Sequence, residues 1–531
     1  MSLSLEQGRH YFRSASVEQS AAIVDARAYY QSFYRAALNA KQYMLLAGWQ
    51  FDTEVALLRG EDARNANLPV TFLPFLEALC QRRPELRIYI LAWDFSFVYA
   101  LEREWLQDLK FATQTSDAIR FEFDTHPRYY ASHHQKFVVV DGVLGFVGGM
   151  DICDERWDDR SHVAGDPLRL NAAGEPCRPN HEVQSAVVGD AAGVLSELFC
   201  QRWHAACGEQ LLLPAPTPGA SSDFDLAELS GGVALPLRAK EVMLSRTAVN
   251  DDGSVLPEIR TAYEEALRSA QRLIYVETQY FTSRSIAAAL LARLRDSSKP
   301  KLEVIVVLPR GADSSKEKFA LGETQNMVLA ALEETAKTCG HELRFLCSAI
   351  NGDEGNGVTF IHSKVLIIDD EFLSIGSANL TERSMGFDTE LAVFWQAHGD
   401  TKLAADIGWV RASLLAEHAG QEPEDVRSPR AFMRCVDSWI AGSASRLRCC
   451  HFHSQTPNVL KTVIFDPGGP ATLPSELAPA AAAFPREVDI DDASVAEDRE
   501  RLARGSSWLR RELARRSVPP AADTADVSDR V

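Results

Sequence analysis

Positive charge is scarce in this chain of 531 residues, which carries 55 Lys and Arg against 74 Asp and Glu. Its formal net charge is −19 at pH 7. Proteins that hold nucleic acid through its phosphates need a basic surface, because that contact dominates their affinity. The composition therefore argues against a nucleic-acid partner, although a local basic pocket can exist within an acidic protein.

Long apolar runs are missing as well. No stretch of about 18 apolar residues occurs, so we expect no transmembrane helix. The N-terminal residues also lack the basic region and the apolar core of a secretory signal peptide. We therefore expect a protein of the cytoplasm or of a membrane surface, and export by a signal-independent route is the alternative.

The ten cysteines form no C-x-x-C pair. Cys449 and Cys450 are followed by His451 and His453, but this spacing fits no common zinc motif, and we interpret it as structural or incidental. Scattered thiols are compatible with a reducing compartment. There is also no acidic cluster of the kind that holds two metal ions in phosphodiesterases, so no metal site is predicted.

One pattern of residues occurs twice. The segments "HHQKFVVVDG" and "IHSKVLIIDD" both contain His, any residue, Lys, four further residues and Asp, and their histidines, His134 and His362, are 228 positions apart. Before each copy, apolar residues at helical spacing are followed by a short apolar run, and this helix–strand pair is then repeated. Each half is therefore predicted to contain strand, helix, strand and a final strand that carries the pattern.

The alternation of strands and helices predicts an α/β fold with two similar α/β domains, each a mixed sheet flanked by helices. The chain is also too long for one ordinary core. The predicted parts are the first half at 1–212, a linker rich in Pro, Gly and Ser at 213–232, the second half at 233–425 and a C-terminal extension at 426–531. The end of the extension has the composition of a disordered segment.

The repeated pattern places a histidine and a lysine side by side. Residues i and i+2 of a strand point to the same face, so His134 projects with Lys136, and His362 projects with Lys364. An imidazole beside a fixed ammonium group suits a phosphate. One such pair is commonplace, but two copies facing each other would surround one phosphorus atom with two histidines and two lysines.

This set of side chains permits phosphoryl transfer without a cofactor. One neutral imidazole can attack phosphorus and form a phosphohistidine, while the other, protonated, donates to the leaving oxygen. The roles then reverse, and the second histidine activates water or an alcohol. The lysines neutralise charge on the non-bridging oxygens, so no metal or other cofactor is expected to take part.

An acidic turn follows each motif strand. Asp141 and Asp369 stand at an odd offset from the lysines and would repel a phosphate, so we assign them structural roles at the turns. Each strand then folds back, and the Asp-Gly bend of the first copy is a strong hairpin signal. Small residues opposite the histidines would leave room for a ligand. The residues predicted to bind the phosphate or to support the site are Gly149, Asp151, Ser377 and Asn379.

At these residues the sequence resembles the phospholipase D superfamily, whose signature is a duplicated H-x-K-x4-D motif. The blocks "HHQKFVVVDGVLGFVGGMDICDERWD" and "FIHSKVLIIDDEFLSIGSANLTERSMGFDTELAV" are similar to the two motif blocks of phospholipases D proper, and the likeness extends from about Tyr34 to Gly420. The resemblance implies two domains related by a pseudo-twofold axis, with one shared active site at their interface.

The resemblance also implies roles for individual residues. A carboxylate downstream of each motif orients a histidine, and the matching positions are Glu182 and Glu390. His134 matches the nucleophile and His362 the general acid, although the pseudo-symmetry makes the two roles exchangeable. His133 would face away from His134 on a strand, so we interpret it as a supporting residue.

The activity implied by the resemblance is that of a phospholipase D, which hydrolyses the head-group phosphodiester of glycerophospholipids to phosphatidic acid and a free alcohol, with transfer to an alcohol as a side activity. A phosphatidyltransferase such as a cardiolipin synthase is the first alternative, although the transmembrane helices typical of that family are missing. A nucleic-acid phosphodiesterase is the second, disfavoured by the charge and by two motifs in one chain. A non-catalytic module fits least, because both motifs are intact.

The expected partner is a phospholipid at a membrane surface, to which the protein would bind peripherally. A loop with four apolar side chains is a candidate for lipid contact and contains Phe95, Phe97, Val98 and Tyr99. We expect a monomer, because one chain carries both motifs, and no nucleic acid.

Overall fold

A computed structural model describes residues 3–94, 107–125, 131–250, 254–310, 315–350, 358–441 and 446–450, which all belong to one unit of the chain, Met1–Ala482. Among these residues, no helix combines the length and the apolar character needed to cross a membrane. Some sequence-based expectations lie outside the described residues, namely the loop with Phe95, Phe97, Val98 and Tyr99, the pair His451 and His453, and the extension beyond residue 450.

Strands and helices alternate in the first half, as the hydrophobic pattern predicts. The two helix–strand pairs expected before the motif strand are present as α1–β3 and α3–β4 in the following series. The elements are β1 (Arg13–Ser16), β2 (Gln19–Val24), α1 (Ala26–Asn39), β3 (Tyr43–Gly48), α2 (Gly60–Arg64), α3 (Phe72–Arg82), β4 (Arg87–Trp93), α4 (Gln107–Gln114), β5 (Ile119–Asp124), β6 (Phe137–Val140), β7 (Leu144–Gly148), β8 (Asn180–His181), β9 (Val183–Val188) and α5 (Asp190–Cys207).

The second half repeats this series after a short 3-10 helix at Ala220–Asp223. Its elements are α6 (Leu226–Leu229), β10 (Leu235–Pro236), β11 (Glu241–Val249), β12 (Val255–Pro257), α7 (Glu258–Ser269), β13 (Leu273–Glu277), α8 (Arg284–Arg295), β14 (Glu303–Val307), α9 (Ser315–Cys339), β15 (Glu342–Ser348), β16 (Phe360–Ile361), β17 (Val365–Ile368), β18 (Phe372–Gly376), α10 (Glu382–Gly386), β19 (Glu390–Gln396), α11 (Thr401–Ala419), α12 (Pro423–Val426), α13 (Pro429–Ala441) and β20 (Leu447–Cys449).

The two large sheets share one topology. In the part of the chain that is described, the first sheet has the strand order β10-β2-β9-β7-β6-β3-β4-β5, and the second has β1-β11-β19-β18-β17-β13-β14-β15-β20, with β12 paired to β11. In these sheets β3, β4 and β5 are parallel, as are β13, β14 and β15, and the other neighbours are antiparallel. The predicted α/β class, with two similar halves that each hold a mixed sheet flanked by helices, is confirmed.

Each half contains one helix–strand unit more than predicted. These units, α4–β5 and α9–β15, lie between the second predicted strand and the motif strand. The segment "IRFEFD" of β5 alternates charged with apolar residues and is half-buried along most of its length. It therefore lacks the continuous apolar run by which the central strands were recognised.

The halves exchange edge strands. β1, from the start of the chain, pairs antiparallel with β11 of the second sheet, and β10 pairs antiparallel with β2 of the first sheet. The segment before β10 also packs onto the first half, where Phe224, Leu226 and Leu229 are buried in its core. Backbone pairing therefore ties each sheet to the opposite half, while the domain boundaries at 212 and 233 stay predictions.

One hydrophobic core is common to both sheets. Val139 of β6 and Ile367 of β17 belong to it, together with side chains of α5 and α11. Their neighbours Val138 and Leu366 point to the opposite faces of the sheets and belong to two separate clusters. Because successive strand residues alternate between faces, both motif strands are buried on both sides, which fixes where their ends lie.

Polar residues and glycines delimit the helices of the shared core. α11 begins after Asp400, whose carboxylate accepts hydrogen bonds from the backbone N–H groups of Lys402 and Leu403. It ends at Gly420, with φ of +64°, and α5 ends at Gly208, with φ of +77°. Both ends are left-handed caps that glycine adopts without a steric penalty.

The two motif aspartates close equivalent turns. Asp141 and Asp369 have φ of +52° and +58°, and each carboxylate accepts hydrogen bonds from three successive backbone N–H groups, those of residues 41–43 and 271–273 respectively. Each turn has three residues rather than the two expected. The lysines, not the histidines, consequently stand opposite Gly148 and Gly376, whose N–H groups donate to the lysine carbonyl oxygens.

Replacement of Asp141 tests this turn. Asp141→Ala removes the acceptor of three backbone N–H groups, of which that of Tyr43 is buried, and places alanine at a positive φ, so the free energy of unfolding should fall by about 2–4 kcal/mol. Asp141→Asn, which keeps one acceptor oxygen and tolerates this backbone conformation, should lose less. Urea denaturation followed by tryptophan fluorescence measures both. Asp117→Ala in an exposed turn is the control, and an equal loss in the control would contradict this account.

Candidate active site

Backbone pairing between the halves brings the two motifs together. The segment before the second motif, β16, pairs in parallel with β8 of the first half, and the N–H of His362 donates to the carbonyl of His181 at 2.9 Å. The first motif repeats this arrangement, because the N–H of His134 donates to the carbonyl of Thr389 at 3.0 Å. The backbone partner of each motif histidine is therefore the residue that precedes a glutamate of the opposite half.

The histidine–glutamate pairs are crossed. His134 Nδ1 lies 2.9 Å from Glu390 Oε2, and His362 Nδ1 forms a short hydrogen bond with Glu182. Both glutamates are completely buried. In its ionised form each carboxylate can only accept, and it then places the proton on Nδ1 and leaves Nε2 for other chemistry. The resemblance implied one glutamate for each histidine, and the structure shows that this glutamate comes from the other half.

The two lysines are buried beside the histidines but have different partners. Lys136 Nζ lies 3.0 Å from Asp151 Oδ2. This ion pair places Asp151, one of the predicted phosphate-binding or support residues, beside the motif lysine. Lys364 Nζ contacts the carbonyl oxygen of His362. Asn379 occupies the position equivalent to Asp151, and its buried Oδ1 has no hydrogen-bond donor among the described residues. The second half thus offers a neutral amide where the first half has a carboxylate.

The small residues Gly149 and Ser377 make room for the glutamates. A Cβ atom on Gly149 would lie 2.7 Å from Glu182 Oε1 and 2.8 Å from Lys364 Cδ, which is too close for any side chain. At the equivalent position, the Ser377 hydroxyl donates to Glu390 Oε2 at 2.5 Å. Of the two roles that the sequence analysis left open for these residues, binding of phosphate and support of the site, the contacts with the carboxylates are of the supporting kind.

Burial and positive charge govern the protonation of the site. Burial lowers the pKa of His134 well below its usual range, and the charges of Lys136 and Lys364 lower it further. The same causes act on His362. Burial also raises the pKa of Glu182 to about 7 and lowers that of Lys364 to about 7. An anion bound beside the lysines would raise the pKa of both histidines and of Lys364, and would thus favour their charged forms.

Arg156 is a site residue that the sequence interpretation missed. Its charge lowers the pKa of His362 and, more weakly, that of Glu182. It stands 22 positions after His134, the same offset that separates Ser384 from His362. Extending the comparison of the two repeats past the small residues would have found this pair, because both follow the returning strand.

His133 and Gln135 connect the first motif to neighbouring elements through hydrogen bonds. His133 Nε2 lies 3.2 Å from Asp124 Oδ1 and its Nδ1 lies 3.1 Å from the Thr389 hydroxyl. The Gln135 amide donates to the carbonyl of Glu390 at 3.2 Å. Both side chains thus bind the elements that carry the site and leave the space between the two motif histidines to the reacting groups.

Models of two related families match this chain. The model described as Phospholipase D matches residues 112–290, and that described as Cardiolipin synthase, PLD-like domain matches residues 263–407, so that together they include both motifs. The chain belongs to the phospholipase D superfamily. Among solved structures, the phosphatidylserine synthase of Haemophilus influenzae Rd KW20 shares the fold, with a TM-score of 0.51 at 13% identity over 82% of this chain and 98% of that one.

Plant proteins named phospholipase D alpha are among the curated relatives of this chain. Phospholipase D alpha 4 of Arabidopsis thaliana is 23% identical over 75% of this chain and 64% of its own length. Phospholipase D alpha 2 of Oryza sativa subsp. japonica is 26% identical over 77% of this chain and 65% of its own length. The chain thus spans slightly less than two thirds of the length of these relatives.

The crossed pairs predict crossed effects of substitution. Glu182→Gln should shift the ¹⁵N resonances of His362 and leave those of His134 nearly unchanged, because a neutral amide is a weaker acceptor for the Nδ1–H group than the carboxylate is. Glu390→Gln should have the opposite effect. Spectra of protein with ¹⁵N-labelled histidine measure this, and His134→Asn and His362→Asn assign the signals. A shift confined to the histidine of the substituted half would show that the pairing is not crossed.

Proposed function

We propose that this chain is a phospholipase D that hydrolyses the head-group phosphodiester of glycerophospholipids to phosphatidic acid and a free alcohol. The observation that carries the proposal is the pair of histidines, each held at Nδ1 by a buried glutamate of the opposite half. Two buried lysines beside them suit the phosphate of the substrate. The match to the Phospholipase D family model and the relatives named phospholipase D alpha support the choice of substrate class.

In the first step His134 attacks the phosphorus atom through Nε2. The new N–P bond forms as the P–O bond to the head-group alcohol breaks, and His362, protonated at Nε2, gives its proton to that oxygen. The alcohol leaves and the phosphatidyl group stays on His134. The buried glutamates stabilise the imidazolium form of each ring, as a carboxylate does in a catalytic triad.

In the second step water replaces the alcohol. His362, now neutral, takes a proton from water, whose oxygen attacks phosphorus and displaces Nε2 of His134, which releases phosphatidic acid. An alcohol in place of water would give transphosphatidylation by the same route. Lys136, Lys364 and the amide of Asn379 stabilise the charge on the non-bridging oxygens in both steps. The nucleophile, the acid and the charge stabilisation all come from side chains, so the chemistry needs no cofactor.

The substrate implies where the protein works. We infer that it binds a membrane surface peripherally, either inside the cell or, after export, outside it. A monomer is sufficient, because the described residues of one chain supply both histidines and both glutamates. The net charge of −19 disfavours nucleic acid as the substrate.

A phosphatidyltransferase is the second candidate. It is favoured by the match of residues 263–407 to the model described as Cardiolipin synthase, PLD-like domain. Such an enzyme would form the same intermediate and differ only in the acceptor, a lipid alcohol instead of water. The two candidates are therefore distinguished by their products and not by the geometry of the histidines.

Product analysis tests the proposal. The purified chain is incubated with vesicles of phosphatidylcholine, phosphatidylethanolamine and phosphatidylglycerol, and with supercoiled plasmid, with His362→Asn as the inactive control. We expect release of choline or ethanolamine together with phosphatidic acid. Both candidates release the head-group alcohol, so formation of cardiolipin in place of phosphatidic acid would favour the transferase, and plasmid nicking without lipid turnover would overturn the proposal.

Replacement of His134 and replacement of His362 should have different effects on turnover and on the covalent intermediate. His134→Asn should abolish the intermediate and all turnover. His362→Asn should stop lipid turnover, but it should still react with a nitrophenyl phosphodiester, whose leaving group needs no proton. A phosphohistidine should then accumulate on His134, because no base remains to activate water. Intact-protein mass spectrometry after exposure to this substrate measures the adduct.

The outcome of this experiment assigns the roles. An adduct on His362 in the His134 variant, with none in the reverse case, would exchange nucleophile and acid. An adduct in neither variant, although wild-type protein turns the ester over, would favour direct attack by water. His418→Gln serves as the matched control, since it changes a buried histidine that contacts neither motif and should behave as wild type with this ester.

A further inference from the structure

A second group of buried histidines and carboxylates lies close behind the site. Asp25 precedes α1, His162 and His181 belong to the first half, and Glu417 belongs to α11 of the second half. All four side chains are at least nine-tenths buried. One donor atom of each lies within 4.8 Å of the donor atoms of the other three. The proposed phosphoryl-transfer mechanism uses none of them.

The distances between these atoms fit a metal ion at their centre. Glu417 Oε1 lies 3.0 Å from His162 Nε2 and 2.6 Å from His181 Nδ1. The two oxygens of Asp25 lie 3.6 Å from His162 Nε2 and 3.3 Å from His181 Nδ1. Tetrahedral zinc with bonds of about 2.0–2.1 Å separates its ligand atoms by roughly 3.3 Å, a value within the observed range.

The two histidines of the cluster have the outer hydrogen-bond partners that are typical of metal ligands. His162 presents Nε2 to the cluster, and its Nδ1 lies 2.8 Å from Asp158 Oδ2. His181 presents Nδ1, and its Nε2 lies 3.0 Å from Glu277 Oε2. A carboxylate on the far nitrogen of each histidine fixes the tautomer that a metal requires and raises the basicity of the ligand.

Asp25 supplies an independent observation. Its Oδ2 is buried and has no hydrogen-bond donor among the described residues, and buried carboxylate oxygens are rarely left without a partner. Its backbone is also in the left-handed region, with φ of +67°. Non-glycine residues adopt this conformation at a cost, and such outliers concentrate at functional sites. The same carboxylate lies against His162 and His181, so its unpartnered oxygen is available to a metal ion at the centre of the cluster.

The charges are consistent with one divalent cation. The four carboxylates of Asp25, Asp158, Glu277 and Glu417 are met by the two guanidinium groups of Arg160 and Arg169. Two further positive charges are needed for balance, and they can come from two protons on the histidines or from one divalent ion.

We propose that Asp25, His162, His181 and Glu417 bind one divalent transition-metal ion, for which zinc is the best fit. Two imidazoles favour zinc over calcium or magnesium, and four protein ligands leave no position open for a substrate, so the ion is structural. It would join α11 to the first half and hold His181, the residue before Glu182. The ion thus stabilises the interface on which the crossed pairs depend and takes no part in phosphoryl transfer.

Metal analysis of the full-length protein tests this inference. Plasma mass spectrometry of chain purified without chelators, and again after incubation with zinc and gel filtration, should find about one zinc per chain. X-ray absorption at the zinc edge should show two imidazoles and oxygen ligands at about 2.0–2.1 Å, with no sulfur. Neither measurement depends on activity or on the substrate.

The zinc content of variants with single substitutions in the cluster tests where the ion binds. His162→Gln, which keeps a polar side chain of similar reach, should lower the zinc content at least tenfold, as should Asp25→Asn. His418→Gln is the control, because His418 binds Glu277 but offers no atom to the four-ligand cluster. Folding is checked by circular dichroism. If a variant fails to fold, the absorption spectrum of the wild type still decides the ligand set.

Three results would overturn the inference. Folded wild-type protein that holds less than about a tenth of an equivalent of zinc after incubation would mean that two protons fill the cluster. Sulfur ligands in the absorption spectrum would place the ion elsewhere. Loss of zinc in His418→Gln, with retention in His162→Gln, would assign it to the neighbouring group of His181, Glu277 and His418.

Discussion

The hydrogen bond between each motif histidine and a glutamate of the opposite half is the interaction on which the site depends. It fixes the proton on Nδ1 and aims Nε2 at the substrate. It is also why Gly149 has no side chain and why Ser377 carries only a hydroxyl, because both stand against the glutamates. Neither half can orient its own histidine, so the duplicated chain forms one site and not two.

The rest of the fold holds these histidine–glutamate pairs in position. Short parallel pairings join each motif to the segment before the opposite glutamate, and the exchanged strands β1 and β10 tie the sheets at their edges. The motif strands are buried on both faces, and Asp141 and Asp369 close their turns, so the histidines sit at the ends of rigid elements. Positive charge is concentrated there, within a protein that is acidic as a whole.

The repeat in the sequence was sufficient to predict the α/β halves and the position of the aspartates at the turns, because these follow from local periodicity. It also singled out the two histidines and two lysines, whose catalytic roles stay predictions. The crossing of the glutamates was not predictable in this way, since 256 residues separate His134 from Glu390. The cluster of Asp25, His162, His181 and Glu417 is assembled from equally distant segments. Nothing local marks such residues, because only tertiary pairing brings them together.

The exchanged edge strands have a consequence for synthesis on the ribosome. β1 emerges before its partner β11, which lies more than 220 residues later, and the first sheet lacks the edge strand β10 until the second half has begun to be made. For much of translation the nascent chain therefore exposes an unpaired strand and an open sheet edge, both of which invite wrong partners. Completion of the first half cannot precede the start of the second, so the two halves must mature as one folding unit.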